Sequence, residues 1–195
     1  MLTQEEDNEL EKIIDSHLSG FDKNYENSLN PDFCQLLDNT KLFYGYKSYE
    51  MIQSFRIRGV DLSDILILNL TYQVSTGKQT YEQNETQIIG FTKLKKDYGQ
   101  LLISPESIED KIRDWFEKSD IDFKDFPKFS SRYLFQADDR NKAESFATTN
   151  RLQLIEQQPN IIIEVKNNLL IAKYPRNINS DDFNAMTLFL KNLDK

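Results

Sequence analysis

Leu66, Leu68, Leu70, Tyr72 and Val74 alternate with Ile67, Asn69, Thr71 and Gln73. Successive side chains of a strand point to opposite faces, so this period of two predicts an extended strand and excludes a helix. The flanks extend the pattern. Met51, Phe55 and Ile57 alternate with Ser54, Arg56 and Arg58, and Leu42–Tyr49 before them reads as a further strand. Ser75-Thr76-Gly77-Lys78 turns the chain into Tyr81–Phe91, whose first half (Glu82, Gln83, Asn84, Glu85) is polar, as in a solvated or edge strand. The links Val60–Asp64 and Thr76–Gln79 are too short for a parallel crossover. The strands must form an antiparallel meander.

The last third adds a second unit. Leu101–Ile103 predicts a short strand, and Ser104-Pro105-Glu106 opens a helix to about Lys118 with Ile108, Ile112, Trp115 and Phe116 on its apolar face. Residues 119–130 read as irregular. Tyr133–Ala137 reads as a strand, Asp138-Asp139 cap a helix over Arg140–Glu156, and Ile161–Val165 and Leu169–Tyr174 form a hairpin through Asn167-Asn168. Ser180 caps a final helix bearing Phe183, Met186, Leu190 and Leu193 on one face. The expected fold is α+β: an antiparallel meander plus a β-α-β-β-α unit, its helices packed on one sheet face, preceded by an amphipathic N-terminal helix.

That N-terminal helix lies in the most charged part of the chain. Met1–Thr40 holds ten acids against Lys12 and Lys23, whereas Lys41–Lys195 holds 22 acids and 22 bases. The whole net charge of −8 therefore sits in the first forty residues. Thr3-Gln4-Glu5-Glu6 is a capping box, and Leu10, Ile13, Ile14, His17, Leu18 and Phe21 follow at helical spacing, with Gly20 near the stop. A helix of this length is marginal alone in water, so the stripe must dock on its own domain or on a partner. Residues 22–32 read as a connection and Phe33–Leu37 as a short apolar turn of helix. The expected division is an acidic helical arm and linker over 1–40 and one α+β domain over 41–195, with a sub-division near 104–130.

The chain has one histidine, one cysteine and six glycines, which leaves little for nucleophilic, metal or phosphate-loop chemistry. His17 lies within an apolar stripe, and Cys34 among Phe33, Leu36 and Leu37, so both read as structural. Asp120, Asp122 and Asp125 lack the glycine and closing glutamate of a calcium loop, and Asp138-Asp139 are explained as caps. No cofactor, no metal site and no catalytic residue is assigned. The overall charge argues against nucleic acid as a partner; Arg56 and Arg58 share one strand face and Lys93, Lys95 and Lys96 cluster further on, and they read as the solvated face and end of a sheet. No apolar run approaches the ~20 residues of a membrane span, no secretory signal opens the chain, and a lone cysteine suits a reducing compartment. The expected location is the cytoplasm, without membrane insertion.

Phe123-x-x-Phe126-x-x-Phe129-x-x-x-Tyr133-x-x-x-x-Asp138, followed by helix, strand, Asn-Asn hairpin and helix, resembles the C-terminal part of an uncharacterised bacterial protein family. The resemblance spans about residues 88–193. It implies a soluble α+β domain that often follows membrane-spanning helices, and it implies no catalytic residues. Here an acidic amphipathic arm stands where those spans would be.

These features favour a non-enzymatic interaction module whose acidic surface engages a protein partner. Leu10, Ile13, Ile14 and Leu18 are the candidate partner-binding residues, either for a foreign protein or for self-association through the N-terminal helix. The alternatives are a hydrolase-like enzyme using dispersed carboxylates, with Asp120, Asp122, Asp125, Asp138, Asp139, Tyr133 and Arg132 converging on a cleft, and a soluble accessory of a membrane assembly.

Overall fold

A computed structural model describes residues 2–17, 21–24, 37, 39–60, 62–108, 120–158 and 160–193. Its centre is one antiparallel sheet of eight strands: β1 (Phe21–Asn24), β2 (Tyr46–Ile57), β3 (Ser63–Ser75), β4 (Thr80–Lys93), β5 (Gln100–Pro105), β6 (Tyr133–Ala137), β7 (Ile162–Lys166) and β8 (Leu169–Lys173). Their spatial order is β1-β2-β3-β4-β8-β7-β5-β6. Among the described residues five α-helices accompany it: α1 (Gln4–His17), α2 (Pro127–Ser130), α3 (Arg140–Phe146), α4 (Thr149–Glu156) and α5 (Ser180–Asn192). The α+β class and the meander β2-β3-β4 are as the alternation predicts.

The period of two divides the apolar residues between the two faces. Ile65 and Ile67 of β3, Ile88 of β4, Leu101 and Ile103 of β5, Ile163 and Val165 of β7, and Leu170 and Ala172 of β8 point to the helix-covered face. There they meet Ile13 of α1, Phe146 of α3, Leu152 and Ile155 of α4, and Phe183, Met186 and Leu190 of α5. Leu66, Leu68, Leu70, Ile89, Leu102, Ile162 and Ile171 point to the other face, where Leu37, Leu42 and Phe43 lie on them. Each such side chain taken out of water contributes about 1.5–3 kcal/mol, which is what fixes the register.

Four local expectations are corrected. Residues 22–32, read as a connection, begin inside a strand: Phe21–Asn24 pairs with Ile57–Ser54 at one edge of the sheet. Leu42–Tyr49 is not a separate strand, because Lys41–Phe43 is a 3-10 turn and Gly45, at φ 96°, reverses the chain before β2 starts. Pro105 closes β5 opposite Tyr133 and does not open a helix; beyond the 3-10 turn Glu106–Ile108, that predicted helix lies outside the described residues. The helix predicted over Arg140–Glu156 breaks at Ala147-Thr148. Thr148 is extended and its side chain accepts from the Arg151 amide, while the Arg151 guanidinium donates to the carbonyls of Phe146 and Leu193. A buried arginine thus serves one carbonyl at the break and one at the end of α5.

Candidate functional site

The N-terminal arm is anchored by its acids as much as by its apolar stripe. The Thr3 amide donates to Glu6 Oε2 at 2.8 Å and the Glu6 amide to Thr3 Oγ1 at 3.3 Å, which completes the capping box. The Glu6 carboxylate also takes the backbone amide and hydroxyl of Thr86 on β4; burial opposes its charge, but these bonds hold its pKa below the usual carboxylate range. Glu9 Oε2 accepts from the Ser180 amide at 2.8 Å, so α1 supplies a carboxylate to the first turn of α5. Between these contacts Ile13 is fully buried, and Leu10 and Ile14 pack against the helix-side core. Leu18 and Cys34 lie outside the described residues, and His17 is the last residue of α1. Glu5, Asp7, Glu11 and Asp15 remain exposed on the outer side of the arm.

Three of the dispersed carboxylates, Asp120, Asp138 and Asp139, have local roles. Asp120 Oδ1 accepts from the Phe135 amide at 2.7 Å, and burial raises its pKa. Asp138 Oδ1 accepts from the Gln100 amide at 3.0 Å, and Asp139 caps α3 through the amides of Asn141 and Lys142. Asp122 and Asp125 are exposed. Tyr133 donates to the Gln158 carbonyl and Arg132 to the Glu156 carbonyl. Arg56 pairs with Asp64 across β2 and β3. A groove beside α4 and α5 is lined by Asn150, Gln153, Leu154, Gln157 and Asn192, none of them ionisable.

The side chains that do converge lie on the second face of the sheet. Lys173 of β8 is 6 % exposed; its Nζ donates to Tyr46 Oη at 3.2 Å and lies 4.9 Å from the Tyr46 ring centroid and 5.6 Å from that of Phe43. Burial lowers its pKa to about 8, against the pull of Glu85. The Tyr46 hydroxyl donates to Glu85 Oε1, which also accepts from Gln87 Nε2 at 2.8 Å. Burial and the Glu85 carboxylate raise the pKa of Tyr46. Gln87 is 2 % exposed, and its Oε1 has no hydrogen-bond partner among the described residues. Nearby, buried Glu164 of β7 accepts from the Leu42 amide at 2.9 Å and holds the 3-10 turn down; burial raises its pKa.

Sequence reasoning passed over this cluster. Its members come from β2, β4 and β8, far apart along the chain, and the polar run Gln83–Gln87 resembles any solvated strand. One signal was present: Lys173 interrupts the apolar run Leu169–Tyr174 at a position that must face a sheet interior.

No protein-family model matches the chain, and no curated protein does. Among solved structures, it is similar to the crystal structure of the mycobacterial trehalose monomycolate transport factor A, TtfA, with a TM-score of 0.52 and 10% identity. The match covers 97% of this chain and 93% of that one. At that identity the likeness is one of fold. Among the described residues no helix is long and apolar enough to cross a membrane, and no group of three or more His, Cys, Asp or Glu residues could hold a metal ion.

Proposed function

We propose that this chain is a non-enzymatic interaction module whose acidic exterior engages a basic protein partner. The observation that carries the reading is the orientation of α1. Ile13 faces the core and Glu6 and Glu9 are spent on Thr86 and Ser180, so the arm is braced in one orientation that leaves Glu5, Asp7, Glu11 and Asp15 outward. Asp7, Glu11 and Asp15, one turn apart, make a fixed row of like charges that steers an oppositely charged partner and sets its orientation, where a floppy tail would give only general attraction. The partner-binding role of Leu10, Ile13, Ile14 and Leu18 belongs to this reading as a second mode, in which the arm swings out and offers its stripe to another protein or a second copy.

Two further features support an accessory role. TtfA, to which the fold is similar, is a transport factor, and residues 88–193 resemble a family often attached to membrane-spanning segments. The lone cysteine and the absence of a candidate span among the described residues support a cytoplasmic setting beside such an assembly. The test is affinity capture from the native host at low and high salt, using the full chain and an E5Q/D7N/E11Q/D15N variant. A partner held by the unaltered chain at low salt, released by high salt and missing from the variant is the expected result. No association at low salt removes the proposal.

A further inference from the structure

Deepening that reading, we infer that Glu85, Tyr72 and Tyr81 form a docking site for a lysine or arginine side chain of the partner protein, on the sheet face opposite the helices. In β4 the residues in step with Ile89, whose side chain joins the second-face cluster, are Gln87, Glu85, Gln83 and Tyr81. On β3 the same face carries Leu70, Tyr72 and Val74, and the register sets Leu70 opposite Glu85, Tyr72 opposite Gln83 and Val74 opposite Tyr81. Tyr46 of β2 stands opposite Tyr72, their ring centroids 6.0 Å apart and edge-on. Tyr46 and Tyr72 therefore flank the Glu85 carboxylate, and Tyr81 continues the same face two residues before Gln83, the partner of Tyr72, toward the open end of the sheet.

The hydrogen bonds leave that carboxylate half used. Glu85 Oε1 takes the Tyr46 hydroxyl and the Gln87 amide, whereas Oε2 accepts nothing among the described residues. Gln87, buried beneath, fixes the carboxylate from below through its Nε2 and is itself out of a partner's reach. A half-exposed carboxylate beside tyrosine rings suits a cation with N–H donors and an apolar stem, which describes the side chains of arginine and lysine. The same face already holds one such cation: Lys173 lies over the Phe43 and Tyr46 rings, within electrostatic reach of Glu85. Burial, Glu85 and Tyr81 together raise the pKa of Tyr72, which agrees with the closeness of the three. Tyr81 is 49 % exposed, so the outer rim of the cluster is open to a partner. Aromatic side chains around a single desolvated charge are also what interface hot spots are made of.

The site rests on the interaction reading but is tested apart from it. The probe is N-acetylarginine amide, with N-acetylcitrulline amide as its uncharged isostere, titrated into the full chain while backbone amide resonances are followed. Saturable shifts at Tyr72, Tyr81 and Glu85 with arginine and not citrulline are expected. They should weaken at least about threefold in Y81A, a variant at an exposed position, and persist in E5Q/E11Q. Shifts confined to α1 and lost in E5Q/E11Q, equal shifts with citrulline, or no saturable shift at these residues each overturn the site. In those cases host capture through the acidic arm still stands or falls alone.

Discussion

Lys173→Met isolates the energetic consequence of burying an amine in the sheet. In the unfolded chain the amine titrates at its ordinary value of 10.5; in the fold, burial brings it to about 8. At about 1.4 kcal/mol per pH unit, that gap corresponds to about 3 kcal/mol. Below pH 8 the group is charged in both states and the fold bears the full desolvation penalty. Above 10.5 it is neutral in both and the penalty is gone. Between those values the unfolded chain binds the extra proton, so this group makes the fold more stable as pH rises. Tyr46, Tyr133 and Tyr174, whose pKa values burial raises, act in the opposite direction above pH 10. Tyr133 and Tyr174 are common to both chains and cancel in a difference; Tyr46, which touches Lys173, adds to it only at the top of the range, so the comparison is read chiefly below pH 10. Urea unfolding followed by circular dichroism, on both proteins from pH 7 to 10.5, should show the unaltered chain gaining about 3 kcal/mol on the variant across this window. At pH 7 the variant should be at least as stable, since methionine keeps the volume and removes the charge. A flat difference curve, or a variant more than about 2 kcal/mol weaker at pH 7, would refute the reasoning.

Ile13→Ala removes a fully buried side chain from the contact between α1 and the core, and should cost about 2–5 kcal/mol in chemical denaturation without changing the oligomeric state. Dissociation of an oligomer in place of that loss would place the stripe at an interface. Gly90→Ala sets a methyl group of β4 against Met186 and Leu190 of α5, so it should cost about 1–3 kcal/mol in thermal unfolding; in the M186A background the alanine should cost clearly less.

The fold was legible where one residue type decided the matter locally. Alternation set β3 and its neighbours, Thr3 and Glu6 set the start of α1, and Asn167, at φ 60°, accepts the left-handed turn between β7 and β8. What escaped depends on distant groups. Phe21-Asp22-Lys23-Asn24 has no alternating apolar pattern, and its strand character comes from the offered edge of β2. The break at Thr148 is hidden because Ala143, Phe146, Leu152 and Ile155 keep an apolar spacing across it, while the groups that settle there, the Thr148 cap and the Arg151 bond to distant Leu193, show only in the folded chain. The second-face cluster was illegible for the same cause: Tyr46 and Lys173 meet only after β4 has been laid between β3 and β8.

Thr86 and Phe135 share an arrangement at two places where the ladder would otherwise stand open. At Thr86, a carboxylate (Glu6) takes the amide and the Ile178 amide meets the carbonyl; at Phe135, Asp120 and the Ile121 amide do the same. Each pair imitates one rung of a neighbouring strand without supplying the strand. The two acids therefore act as end stops against sheet growth. A chain that lost either one would be prone to fibrous self-assembly well before its core melted, and shelf life in solution would register the change sooner than a melting curve.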